Sequence, residues 1–297
     1  MIPAPFDYVV ASSTDDAVAL LVEHGDDAKL LAGGHSLLPM MKLRLAQPAV
    51  LIDIGAIREL SYIRVDGDML AIGAMARHAD LAASTLVHAD APLLAHSAGL
   101  VGDPQIRHRG TIGGSLSHAD PAADLPMAVS ALDATLVLLG PGGRREIGVD
   151  DFFVGFFDTA LRADELLVEI RVPRRPSVGW GYEKFTRRAN DWAIVGVATV
   201  AGRISLANMG SSPIRARASE QALAGGASVA EAAALADQDA APGDDMHADV
   251  EYRRHLARVL TRRALTACDR CTSTKSSAPR TDSSPSTTTD TEPSSTK

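Results

Sequence analysis

Two stretches hold the residue types that could do chemistry. Residues 30–45 read LLAGGHSLLPMMKLRL, and residues 105–126 read QIRHRGTIGGSLSHADPAADLP. Each sets a glycine pair after an apolar, β-type run and follows it with a hydroxyl residue: Gly33-Gly34-His35-Ser36 in the first, Gly113-Gly114-Ser115 in the second. Glycine has no Cβ, so it reaches φ > 0 and lets successive N–H groups point into one concavity, a cradle for an anion. Where such a turn opens a helix, the helix's positive end adds to the pull on a phosphate. Two of them could hold the two phosphates of a dinucleotide. A glycine pair between strand and helix is also the commonest plain turn, and for either stretch alone that alternative stays open. Neither stretch gives G-x-G-x-x-G and no G-x-x-x-x-G-K-[ST] occurs, which disfavours a nicotinamide Rossmann site and a P-loop.

Other reactive residue types invite weighing. His35 either donates to a phosphate or only packs. His78, His88, His96, His108 and His118 match no ligand spacing and read as surface or structural histidines. Ser115, Asp120 and Asp124 do not form a hydrolase triad, because no G-x-S-x-G elbow supplies a nucleophile. Arg107 and Arg109 read as ion-pair or partner-facing residues, and Trp192 as a buried strand tryptophan that could otherwise stack near a ring. Cys268 and Cys271 form a lone C-x-x-C, too few ligands for an iron–sulfur cluster or structural zinc.

The elements that must position these residues follow from pattern. Ser12 to Asp16, ahead of AVALLVEHG, supply an N-cap and acidic first turn; Ala17, Leu20 and Leu21 lie at helical spacing and Gly25 stops the helix. Strands are predicted at 6–10, 28–31 and 49–54, a helix in SLLPMMKLRL with Pro39 in its opening turn, and a hairpin of 62–65 with 69–72 around Asp66-Gly67. Helices are predicted at 77–83, 92–101 and after Pro121, a second hairpin at 134–139 with 145–149, and a strand at 166–172 stopped by Pro173. The Arg174-Arg175-Pro176-Ser177 punctuation marks a boundary. Beyond it, 179–186, 192–201 and 203–209 read as a three-strand meander, followed by helices at 214–223, 229–236 and 249–266, an α+β arrangement. From about Asp269 the chain turns to Ser, Thr and Pro with almost no apolar residue, which predicts disorder.

Composition narrows the class. The 297 residues suffice for about two domains; 46% are hydrophobic but only 4% aromatic, a water-soluble α/β type of composition. No run reaches the ~18 apolar residues of a spanning helix, and MIPAPFDYVV lacks a basic region followed by a hydrophobic core, so a cytoplasmic location is the default. The net charge of −8 argues against a nucleic-acid partner.

Three blocks carry a resemblance: AGGHSLLPMMKLRLA at 32–46, RHRGTIGGSLSHADPAADLP at 107–126 and YEKFTRRANDWAIVGVA at 182–198. Together with YRRHLARVLTRRAL near the C-terminus, they resemble the FAD-binding (medium) subunits of molybdenum hydroxylases, the xanthine dehydrogenase family, nearest to its aerobic carbon monoxide dehydrogenase branch. SHADPAADLP and Ser115, where many relatives carry Asn, fit that branch without fixing a substrate. The likeness runs to about Ala267 and omits the tail.

The resemblance implies a fold of the vanillyl-alcohol-oxidase (PCMH) type over 1–177, with two α/β subdomains gripping FAD. A small α+β domain with a three-stranded antiparallel sheet and helices would follow over 178–267, then a disordered tail, 268–297. Carried over by position, Leu30, Leu31, Ala32, Gly33, Gly34, His35, Ser36 and Leu37, with Thr111, Ile112, Gly113, Gly114 and Ser115, would wrap the FAD pyrophosphate and its surroundings. Val101 would pack near the cofactor, Asp124 would hydrogen-bond it, Leu166 would meet its adenine end, and Lys184 would lie on the flavin side. A lysine there can stabilise negative charge on a reduced ring.

The function so implied is electron transfer through FAD. A large molybdopterin-binding subunit and a small [2Fe-2S] subunit would be its partners, in a dimer of heterotrimers, with no metal and no catalytic acid or base on this chain. A stand-alone FAD oxidoreductase of the same superfamily and a non-catalytic assembly subunit are the alternatives. The first predicts turnover by the isolated chain, the second a colourless protein.

Overall fold

A computed structural model describes the backbone of residues 2–276 and side chains through residue 268. Three parallel strands come first, β1 (Asp7–Val10), β2 (Ala28–Leu31) and β3 (Val50–Asp53), ordered β1-β3-β2. Helix α1 (Thr14–His24) links β1 to β2 and begins as its caps dictate: the Ser13 hydroxyl accepts from the Asp16 N–H, and Gly25 ends it at φ 54°. Its apolar stripe, Ala17, Val18 and Leu21, packs with Ala28, Val50 and Ile52. Short α2 (Leu37–Lys42) lies between β2 and β3.

An antiparallel sheet of five strands follows. It contains β4 (Ile63–Asp66), β5 (Met69–Gly73), β6 (Thr135–Gly140), β7 (Gly143–Gly148) and, beyond the small hairpin of β8 (Phe153–Gly155) and β9 (Asp158–Thr159), β10 (Leu166–Pro173). The order β4-β5-β10-β6-β7 puts β10 in the middle, which explains why Leu166, Leu167, Val168 and Ile170 are buried without alternation. Six helices fill the span between β5 and β6: α3 (His78–Ala83), α4 (Thr85–Asp90), α5 (Pro92–Gly99), α6 (Pro104–Arg107), α7 (Ile112–His118) and α8 (Asp124–Leu132); α9 (Val149–Phe152) follows β7. Helix α8 is buried along its whole length, as an apolar helix without a polar face must be.

The last sheet is antiparallel: β11 (Trp180–Phe185), β12 (Val195–Val200), β13 (Arg203–Ala207) and β14 (Ile214–Arg215). It has four strands where the sequence predicts three. Residues Ile214 and Arg215 pair with Leu206 and Ser205 instead of starting a helix, and α10 begins only at Arg217 (Arg217–Ala224). Strand β12 alternates between two cores: Val195 and Val197 join Leu256 and Leu260 of the last helix, while Ala198 and Val200 join Met127 and Val129 of α8. Helices α11 (Val229–Ala233) and α12 (Val250–Ser276) complete the described residues. Helix α12 runs past the predicted end at 266; the remainder of the tail, 277–297, lies outside the described residues. No helix among the described residues is long and apolar enough to cross a membrane.

Candidate functional site

Strand β2 delivers the chain to Leu31, and the first glycine bend follows. Gly34 sits at φ 76°, where a side chain would be strained. The main-chain N–H groups of Gly33, Gly34, His35, Ser36 and Leu37 donate to nothing among the described residues, nor is the Ser36 hydroxyl engaged. A run of unpaired, solvent-accessible amides beside a free hydroxyl is an acceptor-seeking surface suited to phosphate oxygens. His35 is exposed at its rim.

The second glycine pair departs from the predicted form. It is not a bend after a strand but the first turn of α7, capped by Thr111, whose hydroxyl accepts from Gly114 N at 3.2 Å. A single antiparallel bridge with Arg77 holds Thr111 extended. Its amides are already engaged: Ile112 N donates to Ala76 O at 3.0 Å, Gly113 N to Ala74 O at 2.8 Å, and Ser115 N to Thr111 O at 3.0 Å. Gly113 is small because a Cβ would come within 2.6 Å of Ala74 Cβ, a packing requirement, whereas Gly114 and Ser115 remain partly exposed. The expectation of two equivalent amide cradles is therefore corrected: the first bend offers amides, the second a small, close wall and the Ser115 hydroxyl.

The two stretches meet. A Cβ on Gly33 would overlap the Arg109 carbonyl oxygen and lie 2.8 Å from Gly110 Cα, and one on Gly114 would face Ala32 Cβ at 3.9 Å. Beneath them is His78, which sequence reasoning treated as one more structural histidine. Its N–H donates to Gly110 O at 3.0 Å, and a Cβ on Gly110 would come within 2.7 Å of its ring. Its side chain is almost fully buried with Nδ1 unpartnered; burial, together with nearby His35 and Arg107, pulls its pKa down to about 4. Arg107 makes no ion pair among the described residues; it donates to the carbonyls of Val101 and Gly102 at 3.0 and 3.2 Å and so fixes the segment ahead of α6. Val101 itself is buried in the same core as Ile112 and Leu116.

The next group sits where α8 meets β11. Asp124, first residue of α8, is 2% exposed; its Oδ2 accepts from Lys184 Nζ at 2.9 Å and its Oδ1 from the Tyr182 hydroxyl. Burial raises the Asp124 carboxyl, and Lys184 offsets part of that rise; burial and then the Asp124 charge push the Tyr182 phenol well up. Asp124 is thus committed to two protein partners, and Lys184, not Asp124, is the member nearer solvent. Tyr182 was missed, though its signal was present: on a strand, residues 180, 182 and 184 share one face. His96 packs on that face, 5.2 Å from the Trp180 ring and 5.1 Å from the Tyr182 ring. Leu166 is 2% exposed in the core with Val137 and Leu139, so its side chain faces packing.

Trp192 differs from its expected burial: it lies in the 186–194 connection and is 58% exposed. It lines a cleft of about 770 Å³ together with Asp120, Pro121 and Ala122, from the link between α7 and α8.

Comparison with known proteins agrees over nearly the whole chain. Residues 4–175 match the family model of the FAD binding domain in molybdopterin dehydrogenase, and residues 180–268 match that of the CO dehydrogenase flavoprotein C-terminal domain. The chain is 46% identical over 282 residues to the carbon monoxide dehydrogenase medium chain of Hydrogenophaga pseudoflava, covering 90% of this chain and 98% of the relative. It is 38% identical to the 6-hydroxypseudooxynicotine dehydrogenase complex subunit alpha of Paenarthrobacter nicotinovorans, covering 89% and 95%. Among solved structures, carbon monoxide dehydrogenase from Hydrogenophaga pseudoflava superposes with a TM-score of 0.88 at 46% identity over 91% of this chain and 99% of that one. Quinoline 2-oxidoreductase from Pseudomonas putida 86 gives 0.85 at 30% identity over 92% and 100%.

Proposed function

The chain belongs to the FAD-binding medium subunits of carbon monoxide dehydrogenase-type molybdenum hydroxylases, which are oxidoreductases, and from that premise we propose that it relays electrons through FAD. The electrons come from [2Fe-2S] clusters on a small partner chain, after a large molybdopterin-bearing chain has oxidised the substrate, and they leave to an acceptor. The assembly is a dimer of heterotrimers in the cytoplasm, and in this chain residues 1–177 hold FAD while 178–267 form the second domain.

The observation that carries this is the meeting of the two glycine stretches around a run of unpaired amides. FAD fits there: the free N–H groups from Gly33 to Leu37 and the hydroxyls of Ser36 and Ser115 supply donors for a diphosphate, and Gly114 leaves room opposite Ala32. Bound FAD supplies a junction between single-electron and two-electron transfer. The chain's own part is to bind and orient. Arg107 and His78 hold the backbone under the bends, and Lys184, fixed by Asp124 and Tyr182, supplies a positive group on the flavin side.

The test is purification of the untagged chain from its native source. Flavin absorbance, release of FAD on denaturation, and a native mass containing one large and one small partner chain are expected. A colourless protein without FAD would sink the cofactor assignment, and a flavin-bearing chain that turns over a small molecule alone would replace the relay.

A further inference from the structure

The cleft beside Trp192 is not part of the diphosphate cradle, but its walls continue directly from the Asp124–Lys184 pair. Its lining includes the 120–122 link that leads to α8, whose first residue is Asp124, and the connection that leaves β11 just after Lys184 and contributes Arg187, Asp191 and Trp192.

Two aromatic features line this cleft, and both keep much of their surface exposed, although Phe157 also packs on His118 with ring centroids 4.8 Å apart. Phe156 and Phe157 form the tip of the β8–β9 hairpin, between paired Gly155 and Asp158. Such tips favour Gly, Asn or Asp; here Phe157 is held at φ 55°, a costly place for a bulky side chain. Both rings stay exposed, at 66% and 46%, and lie 4.4 Å apart. Trp192 is likewise exposed. Arg253 also lines it, 2% exposed, with Nε buried and unpartnered while its terminal nitrogens serve Ile194 O and Asp245.

The volume, about 770 Å³, is that of a small-molecule site. The charge is selective: Asp245 and Arg253 pair with each other, which leaves Asp120, Asp191 and Asp244 against Arg187, with His247 beside them. A diphosphate would meet net negative charge there, whereas a planar ring system would find aromatic faces and a cation would find aspartates.

We propose that this cleft admits the electron acceptor, and that it takes planar polycyclic molecules without phosphate, cations more tightly than neutral ones and dinucleotides least. The acceptor role rests on the flavin reading above; the binding preference does not.

The test uses the FAD-loaded protein and three probes in equilibrium titrations: proflavine as a planar cation, menadione as a neutral ring system and NAD+ as a dinucleotide. FAD content is measured separately by release on denaturation. Proflavine is expected to bind at least tenfold more tightly than NAD+, with menadione between them. Trp192→Ala and Phe157→Gly, the latter compatible with the left-handed backbone, should each weaken both ring probes at least tenfold with FAD content unchanged. Asp191→Asn should weaken proflavine severalfold and leave menadione alone.

Equal binding of NAD+ and proflavine, or ring-probe binding indifferent to Trp192 and Phe157, overturns the proposal. So does loss of probe binding when FAD is loaded, or loss of FAD in Trp192→Ala, since either would mean that the cofactor fills the cleft. Trp192-dependent probe binding in a chain that never holds FAD would keep a ligand site but remove the acceptor role, and would count against the flavin reading alone.

Discussion

The ammonium of Lys184 lies 2.9 Å from Oδ2 of Asp124, with 8% of the lysine side chain and 1% of the aspartate side chain exposed. The pair joins the first residue of α8 to β11, so it ties the flavin-binding part of the chain to the C-terminal sheet. Its two charges largely cancel in place, and Tyr182 takes the other carboxylate oxygen. In the flavin site proposed above, the field of Lys184 is therefore set by Asp124 as much as by the lysine.

Asp124→Asn should strip the buried ammonium of its counter-charge and cost about 3–5 kcal/mol of stability, the range for breaking a buried pair from one side. Adding Lys184→Met should recover part of that loss, because the uncompensated charge is gone. Urea unfolding of the two single variants and the double variant gives the coupling directly. Strictly additive losses would mean that the pair contributes no more than its separate packing.

Acid should weaken the fold through His78. Its imidazole titrates at about 4 when folded and near 6.5 when unfolded, so between those values the unfolded chain holds the extra proton. The folded state keeps its full advantage above pH 6.5 and loses up to about 3 kcal/mol as pH falls toward 4. His78→Phe, which keeps a ring against Gly110, should flatten that part of the stability profile. An unchanged pH slope in the variant would assign the acid sensitivity to other groups.

How much of this was legible in the chain depends on whether the cause is local. The helix cap ahead of α1 and the two hairpins are written in neighbouring residues, and they appear where predicted. Gly113 was read as a ligand glycine because nothing nearby reveals that Ala74, brought up beside it after β5, leaves no room for a Cβ. The exposure of Trp192 and the pairing of Ile214 and Arg215 with β13 likewise depend on partners distant in sequence. The two glycine stretches were visible through their spacing, but which of them still has amides to give depended on Ala74 and Ala76 accepting those of the other. Tyr182 lay within reach through the strand period shared with Lys184.

The glycines should separate by effect. Gly33→Ala forces its Cβ onto the Arg109 carbonyl, and Gly114→Val presses on the Thr111 hydroxyl, 2.9 Å from its Cβ, and fills the space opposite Ala32. Both should lower FAD content at least tenfold while the C-terminal sheet stays folded. Gly113→Ala meets Ala74 Cβ and should mainly destabilise, by about 1–3 kcal/mol, as overpacking does. Flavin per chain and urea midpoints distinguish the two classes, and full occupancy in Gly114→Val would move the diphosphate elsewhere.

A second tie between the two parts of the chain runs through Asp150 on α9, which receives Arg203 at 3.1 Å, Arg215 at 3.1 Å and Arg217 at 3.2 Å, all from the C-terminal part. Arg203 has other partners in Asp133 and the Ser130 carbonyl, and Arg215 has Glu220, but Arg217 has none among the described residues. Asp150 is partly exposed, so solvent screens it, and Asp150→Asn should cost about 1–3 kcal/mol, less than Asp124→Asn. The loss should fall on the junction between the parts. Calorimetry should then resolve one unfolding transition into two, with the C-terminal part melting apart from the flavin-binding part. A single transition at an unchanged midpoint would show that α8, packed in one core with Ala198, Val200 and Ala207 of the last sheet, holds the parts together without the arginine cluster.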